Sequence, residues 1–242
     1  MPYIQRVTKA GKTIEIEKHY SAKYHKRGYK KIKKQKPSSE QQIRINNKEA
    51  ERKLRLLMNA NFGGGDLHIV LTYIHKKVDP YRTPEEMQKD IEKFLRKLRA
   101  ECKKCGKVLK YIHVPEIGTR GARHHHLVLN KIDIDIVRKC WPHARVQVFP
   151  LDDSGQYREL AAYFIKYSSK NRDLSGKRWN CSKNLIRPRP MIKVISKRDC
   201  FKSEPQAKKG YYIDKDTVES GTYDIAEYGG YGYLRYTLVQ LE

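Results

Sequence analysis

Short apolar runs recur along the middle of the chain and predict β-strands. The first, LHIVLTY at residues 67–73, is rich in β-branched and aromatic side chains and is bounded by glycine, aspartate and lysine. Three similar runs follow at residues 108–114, 123–130 and 145–149. We therefore expect four strands in this region.

Helical spacing of apolar residues separates these strands. Between Thr83 and Gly106, apolar side chains recur every three or four residues, and Thr83-Pro84 is a typical helix start. Shorter helices are predicted over residues 133–140 and 157–170. The order β-α-β-β-α-β-α is typical of the α+β class, and we predict a mostly antiparallel sheet with helices on one face.

Three further regions surround residues 66–185, which we predict to be the main domain. Residues 1–43 are dense in lysine and are predicted to be a flexible basic arm. Residues 44–65 are predicted to be a helix, capped by Asn46, followed by a glycine hinge. Residues 186–242 are predicted to be a C-terminal extension packed on the main domain.

The charge balance points to a polyanionic partner. Lysine and arginine number 52 against 27 acidic residues, a formal net charge of +25. Nucleic acid is the first candidate for such a partner and an anionic membrane surface the second. We expect DNA contacts from seven basic residues: Lys18, Lys23, Lys26, Arg27, Lys30, Lys31 and Arg123.

Other compositional signals favour a cytoplasmic protein. No run of about 18 apolar residues is present, and the first residues lack the apolar stretch of a signal peptide. The five irregularly spaced cysteines fit reduced thiols. Cys102 and Cys105 form a CxxC pair, but no second close pair exists to complete a zinc site.

The sequence Arg123-His124-His125-His126 carries candidate metal chemistry. Side chains alternate along a strand, so His124 and His126 share one face while His125 points to the other. If the preceding strand forms a hairpin with this one, Glu116 lies beside His124 and completes a two-histidine, one-carboxylate set. His113 has the opposite parity to Glu116. A polar sheet face without a metal is the alternative interpretation.

The helix at residues 157–170 carries candidate nucleophiles. Its apolar side chains fall on one arc, whereas Tyr163, Lys166, Tyr167 and Lys170 share an adjacent arc. A nearby ammonium group lowers the pKa of a phenol and can hold a phosphate. An amphipathic helix with a wet basic edge is the alternative.

Together these segments resemble the HUH endonucleases, and most closely the replication initiators of single-stranded DNA phages and rolling-circle plasmids. Ile69–Tyr73 resembles the first family motif, a hydrophobic strand ending in threonine. Glu116 with Arg123–His126 resembles the second, and Tyr163–Tyr167 resembles the third. The middle position of the histidine motif, usually apolar, is His125 here.

The resemblance implies a rolling-circle initiator that nicks and rejoins single-stranded DNA. Tyr163 or Tyr167 would attack a phosphodiester, release a 3′-OH primer and keep the 5′ end as a phosphotyrosine. Lys166 and Lys170 would assist, and Glu116, His124 and His126 would hold Mg²⁺ or Mn²⁺. The implied partners are single-stranded DNA or an origin hairpin, a host helicase and a host polymerase, in a bacterial cytoplasm, with no membrane.

Three other readings share some of these features. A conjugative or mobilisation relaxase would use the same chemistry in another context. The paired tyrosines argue against a single-tyrosine transposase of the same superfamily. A non-catalytic RRM-like nucleic-acid-binding module would carry aromatic residues on its central strands, where this sequence has histidines.

Overall fold

A computed structural model describes residues 3–21, 40–74, 82–118, 121–170, 177–196, 204–223 and 231–241. The chain divides into two compact units, one formed by Arg44–Ile186 and one by Met1–Ile43 together with Arg187–Glu242. Within the described ranges, no helix is long and apolar enough to cross a membrane.

The unit Arg44–Ile186 is built on a five-stranded antiparallel sheet. Its strands are β3 (Leu67–Thr72), β4 (Tyr111–Ile117), β5 (Arg123–Leu129), β6 (Val146–Pro150) and β7 (Asn180–Cys181). Their order in the sheet is β6-β3-β5-β4-β7. Its helices are most of α1 (Glu40–Asn61), and α2 (Pro84–Lys104), α3 (Ile134–Cys140) and α4 (Arg158–Lys170). This confirms the predicted α+β class and antiparallel sheet.

The helices cover both faces of this sheet, so the prediction that they lie on one face was wrong. Helices α2 and α3 pack on the face that bears Ile69 and Leu127. Helices α1 and α4 pack on the face that bears Val114 and Val128. The reason is that the central strands are apolar on both sides: neighbours Leu127 and Val128 are both fully buried.

The N-termini of the two long helices differ in how well the local sequence predicted them. Helix α2 begins as predicted, because Thr83 accepts a hydrogen bond from the backbone N–H of Glu86 and Glu86 accepts one from that of Thr83. Helix α1 begins at Glu40, so the predicted cap at Asn46 was wrong. Asn46 lies inside the helix, so the pattern of an asparagine followed three residues later by a glutamate does not mark the start of a helix here.

The predicted glycine hinge is a hydrogen-bonded turn between α1 and β3. The N–H of Gly63 donates to the Asp66 carboxylate, and the N–H of Gly65 donates to the carbonyl of Leu151. A Cβ on Gly64 would lie 1.5 Å from the Asp153 carboxylate. A larger residue at this position would therefore require the exposed Asp153 side chain to move.

The second unit corrects the predictions for both ends of the chain. Residues 3–20 are not an arm, since β1 (Tyr3–Ala10) and β2 (Thr13–Tyr20) form an antiparallel hairpin. They join β8 (Met191–Ile195), β9 (Tyr211–Tyr223) and β10 (Tyr231–Gln240) in a sheet of order β8-β1-β2-β10-β9. The predicted extension therefore contributes three strands to a separate sheet. Alternating residues in β2 and β10 supply its apolar cluster, which includes Ile14, Leu234, Tyr236 and Leu238.

Candidate active site

The hairpin of β4 and β5 brings together the three predicted metal ligands. Glu116 is the direct cross-strand partner of His124, and Val114 is that of His126. Direct partners share a sheet face, so Glu116, His124 and His126 lie on the side covered by α1 and α4. The predicted hairpin, and the prediction that these three residues share one face of it, are confirmed. That they bind a metal stays a prediction.

Glu116 and His126 are buried and in direct contact. Nε2 of His126 lies 2.5 Å from a carboxylate oxygen of Glu116, and the two residues are 4% and 6% exposed. His124 is less buried. Burial lowers the pKa of His124, and Glu116 opposes that shift. Among the described residues, Nδ1 of His124 is buried without a hydrogen-bond partner.

These residues fit a divalent cation by donor type and by face. Two imidazoles and one carboxylate on one strand pair are a common set for divalent metals, and the unpartnered Nδ1 of His124 leaves one donor available. In the described part of the chain, no three His, Cys, Asp or Glu side chains surround a common centre. Glu116 is instead hydrogen-bonded to His126. To bind a metal, both side chains would have to give up this hydrogen bond and ligate the ion.

His68 is a site residue that the sequence analysis missed. It lies on β3 beside His126, with Nε2 3.4 Å from Nδ1 of His126, and the two rings are stacked 5.6 Å apart. Burial lowers the pKa of His68 to about 4, so this imidazole is neutral at neutral pH. Alternation in LHIVLT places His68 on the face opposite to Leu67 and Ile69, but Val70 shares that face, so the strand pattern by itself did not mark His68 as a site residue.

Helix α4 places both tyrosines next to this cluster. The ring of His126 lies 5.3 Å from that of Tyr163 and 6.5 Å from that of Tyr167. The tyrosine rings are 4.6 Å apart, as expected one helical turn apart. Tyr163 is 37% exposed, so its phenol is accessible at the edge of a largely buried cluster.

The electrostatics of Tyr163 differ from the prediction. Burial raises the pKa of Tyr163 to about 12, and Glu116 and Tyr167 add to the increase. The predicted lowering by a neighbouring lysine was wrong for this residue, since Lys166 is exposed on α4 and the nearby charge is the Glu116 carboxylate. The side chain of Lys170 lies outside the described residues.

On the opposite face, His125 belongs to a buried polar chain. Its Nδ1 lies 2.9 Å from Nε2 of His113, and its Nε2 lies 2.8 Å from the Tyr73 hydroxyl. A neutral imidazole has one donor and one acceptor nitrogen, so it can satisfy both contacts. Burial lowers the pKa of His113 to about 3 and that of His125 well below its ordinary value. His125 is therefore held in a packed polar network on the sheet face opposite to Tyr163 and Tyr167.

Replacing His125 with alanine is expected to destabilise the unit by roughly 2–4 kcal/mol, because it opens a cavity and leaves the buried His113 and the partly buried Tyr73 hydroxyl without this hydrogen-bond partner. Urea unfolding followed by circular dichroism measures this as a lower midpoint at constant slope. The double variant His113→Leu/His125→Leu should lose less than the sum of the single variants. An unchanged midpoint for His125→Ala would contradict the packing account.

The predicted DNA-contact residues are spread over the chain. Arg123 donates from its guanidinium to the backbone carbonyls of Arg82 and Gly121, so it also ties two loop ends together. Lys18 is a half-buried residue of β2 in the other unit. Lys23, Lys26, Arg27, Lys30 and Lys31 lie outside the described residues.

A comparison with family models finds a match over the part of the chain that contains this site. Residues 66–172 match the model of replication-associated protein ORF2/G2P, a region that runs from β3 to the end of α4 and contains every candidate ligand and nucleophile. The match covers less than half of the chain and supports a replication-initiator role. No curated protein and no solved structure matches the chain.

Proposed function

We propose that this protein is a tyrosine endonuclease that nicks and rejoins single-stranded DNA to start rolling-circle replication. One observation carries the proposal: Tyr163 and Tyr167 lie against His126 on the same sheet face as Glu116 and His124. A phenol next to such a donor set suits phosphoryl transfer, and the replication-associated family match supplies the biological context.

The proposed reaction exchanges one phosphodiester bond for another. The phenolic oxygen of Tyr163 bonds to phosphorus, the bond from phosphorus to the 3′-oxygen breaks, and that oxygen takes up a proton. Glu116, His124 and His126 would hold Mg²⁺ or Mn²⁺, which when bound supplies positive charge to the non-bridging phosphate oxygens. Because bond energy is conserved in the phosphotyrosine, rejoining needs no nucleotide cofactor.

The protein's own side chains would prepare this step by position and charge. The raised pKa of Tyr163 means that its phenol is neutral at rest and must lose a proton on attack. The negative charge of Glu116 contributes to that raised pKa, so neutralising this charge would favour the phenolate. Lys166, exposed one turn along α4, is proposed to hold a phosphate as a point charge.

The RRM-like alternative is less well supported than the nuclease. An RRM binds RNA on an open sheet face lined with aromatic side chains. Here α1 with α4 and α2 with α3 pack on the two faces of the sheet. A relaxase would share the chemistry proposed for this site and differ in its DNA context, so the choice between initiator and relaxase rests on the family match.

Covalent capture tests the proposal directly. The full-length protein is incubated with Mn²⁺ and single-stranded oligonucleotides labelled at the 3′ end, drawn from a random pool. A species that resists denaturation, migrates as protein plus DNA and disappears on protease treatment is the expected result. Labelled duplex of the same sequences is the control. Persistent absence of any adduct, with DNA binding intact, would contradict a tyrosine nuclease.

The affinity for single-stranded DNA is expected to fall steeply with salt, because each phosphate contact releases counterions. The logarithm of the binding constant should decrease linearly with the logarithm of salt concentration, with a slope of about −0.7 per phosphate neutralised. The slope is measured by fluorescence anisotropy at salt concentrations from about 50 to about 300 mM, where the affinity of phosphate-binding proteins changes strongly. Binding that is independent of salt would contradict a phosphate-tracking role for the net charge of +25.

A further inference from the structure

Strand β6 extends the aromatic part of the candidate site to the edge of the sheet. Phe149 is the cross-strand partner of His68, and Gln147 is that of Val70, so both side chains lie on the face of the candidate site. The Phe149 ring lies 5.5 Å from the His68 ring, which in turn stacks 5.6 Å from His126. A row of three rings thus leads from the sheet edge to the candidate ligands.

Phe149 is exposed in spite of its size. Its side chain is 49% accessible, whereas Phe94 and Phe164 of the same unit are at most 1% accessible. In the order of the described strands, β6 is the terminal strand and pairs with β3 alone. The Phe149 ring therefore packs beside the His68 ring, at an interplanar angle of 30°, while about half of its side chain is accessible to solvent.

Cationic side chains accompany this exposed ring. A groove runs along β6 and is lined by Arg138, Arg145, Gln147 and Phe149, among others. Arg145 directly precedes β6 and is exposed, and its carbonyl accepts a hydrogen bond from the N–H of Thr72. Thr72 is in turn the cross-strand partner of His124. Arg145 is thus separated from the His124 strand by one strand.

We propose that this edge is a subsite for single-stranded DNA, in which a nucleobase stacks on Phe149 and Arg145 contacts a neighbouring phosphate. The inference rests on the proposed function for the choice of strand, namely the one that enters the tyrosine site. An exposed ring gains from stacking on any base, and a guanidinium pairs with phosphate in the same groove. A base within a duplex is stacked on both sides, so this subsite selects single strands.

Two substitutions separate the aromatic contact from the ionic one. In the full chain carrying Tyr163→Phe and Tyr167→Phe to prevent cleavage, Phe149→Ala should weaken binding of a single-stranded oligonucleotide about 5- to 150-fold, the range of a single base stack. The salt slope should not change. Arg145→Ala should instead reduce the magnitude of the slope by about 0.7. Phe149→Trp should restore the affinity.

Val108→Ala provides a matched control, because Val108 is a more exposed apolar residue of the same unit at 71% accessibility and has no ring. It should leave affinity and salt slope unchanged. Loss of affinity for Phe149→Ala no greater than for Val108→Ala would overturn the subsite. Equal loss for Phe149→Ala on single-stranded and duplex DNA would overturn its selectivity for single strands.

An abasic scan identifies the stacked nucleotide. One nucleotide at a time is replaced with an abasic unit, and binding is compared in proteins with Phe149 and with Phe149→Ala. One position, or two adjacent ones, should lose affinity in the first protein and little in the second, which reports direct coupling. Additive losses at every position would overturn stacking on Phe149.

These measurements distinguish failure of the subsite from failure of the proposed function. Binding and coupling do not need cleavage. A coupled abasic position in the Tyr163→Phe/Tyr167→Phe background, together with no adduct from the protein that keeps both tyrosines, would therefore support the subsite and refute the nuclease. Conversely, adduct formation with unchanged binding in Phe149→Ala would sustain the nuclease and refute the subsite.

Discussion

The variant in which both Tyr163 and Tyr167 are phenylalanine is expected to form no covalent adduct with single-stranded DNA, while each single variant keeps part of the single-turnover nicking. The two rings lie 4.6 Å apart and both border His126, so either hydroxyl can reach one phosphate bound at the cluster. Phenylalanine preserves the aromatic ring and removes the hydroxyl, which is the nucleophile and also the group through which Tyr163 and Tyr167 hydrogen-bond. We therefore expect an effect on chemistry and not on folding.

Peptide mapping of the adduct shows which tyrosine carries the DNA. A substrate whose cleaved fragment diffuses away traps the intermediate, and mass spectrometry of the linked peptide then identifies the residue. We expect adducts at both positions, with Tyr163 favoured. Linkage at Tyr163 alone, with Tyr167→Phe completing nicking and joining at the wild-type rate, would refute an alternating cycle and leave the nuclease standing. Tyr157 is buried and directly precedes α4, so Tyr157→Phe is the control for replacing a tyrosine with phenylalanine near this helix.

Replacing His124 or His126 with alanine is expected to abolish nicking and leave DNA binding nearly intact. Each substitution removes one of three candidate ligands on the shared face of β4 and β5. Loss of charge stabilisation at a reacting phosphate is worth several kcal/mol, a rate decrease of at least about 100-fold. Single-turnover nicking and oligonucleotide anisotropy measure the two properties separately.

A direct metal-binding measurement keeps this prediction independent of activity. Mn²⁺ binding followed by the loss of its free-ion paramagnetic resonance signal should weaken in His124→Ala, His126→Ala and Glu116→Gln. His125→Ala, measured at a temperature where circular dichroism shows it to be folded, is the matched control, because it removes an imidazole from the same strand but from the opposite face. If His125→Ala loses Mn²⁺ binding while His124→Ala retains it, the assignment of ligands to one face is wrong.

His68 is a site residue that the sequence pattern alone could not identify. The histidine run, Glu116 and the tyrosine pair stood out because their chemistry and spacing are unusual within a strand and a helix. His68 sits in an ordinary strand pattern, and only the pairing of β3 with β5 brings it 3.4 Å from His126. Phe149 escaped notice for the same reason, since its exposure follows from the edge position of β6.

The tyrosine environment also needed the tertiary structure. A lysine three residues away on the helix suggested an activated phenol. The folded chain instead places Tyr163 near the Glu116 carboxylate and under partial burial, and both raise its pKa. Sequence neighbours on a helix surface are largely solvated, whereas a charge from another element acts through the protein interior, where screening is weaker.

By itself, the sequence determined the elements between residues 66 and 170, the hairpin that pairs Glu116 with His124, and the capping box of α2, because these depend on contacts between residues close along the chain. Only the tertiary structure decided that helices cover both sheet faces and that residues 3–20 pair with strands more than 170 residues later. Such pairing is non-local: the partner strand supplies the hydrogen bonds and the buried face. For this reason, the lysine-rich N-terminal segment was predicted to be a flexible arm, and only its pairing with β8 and β10 shows that residues 3–20 belong to a sheet.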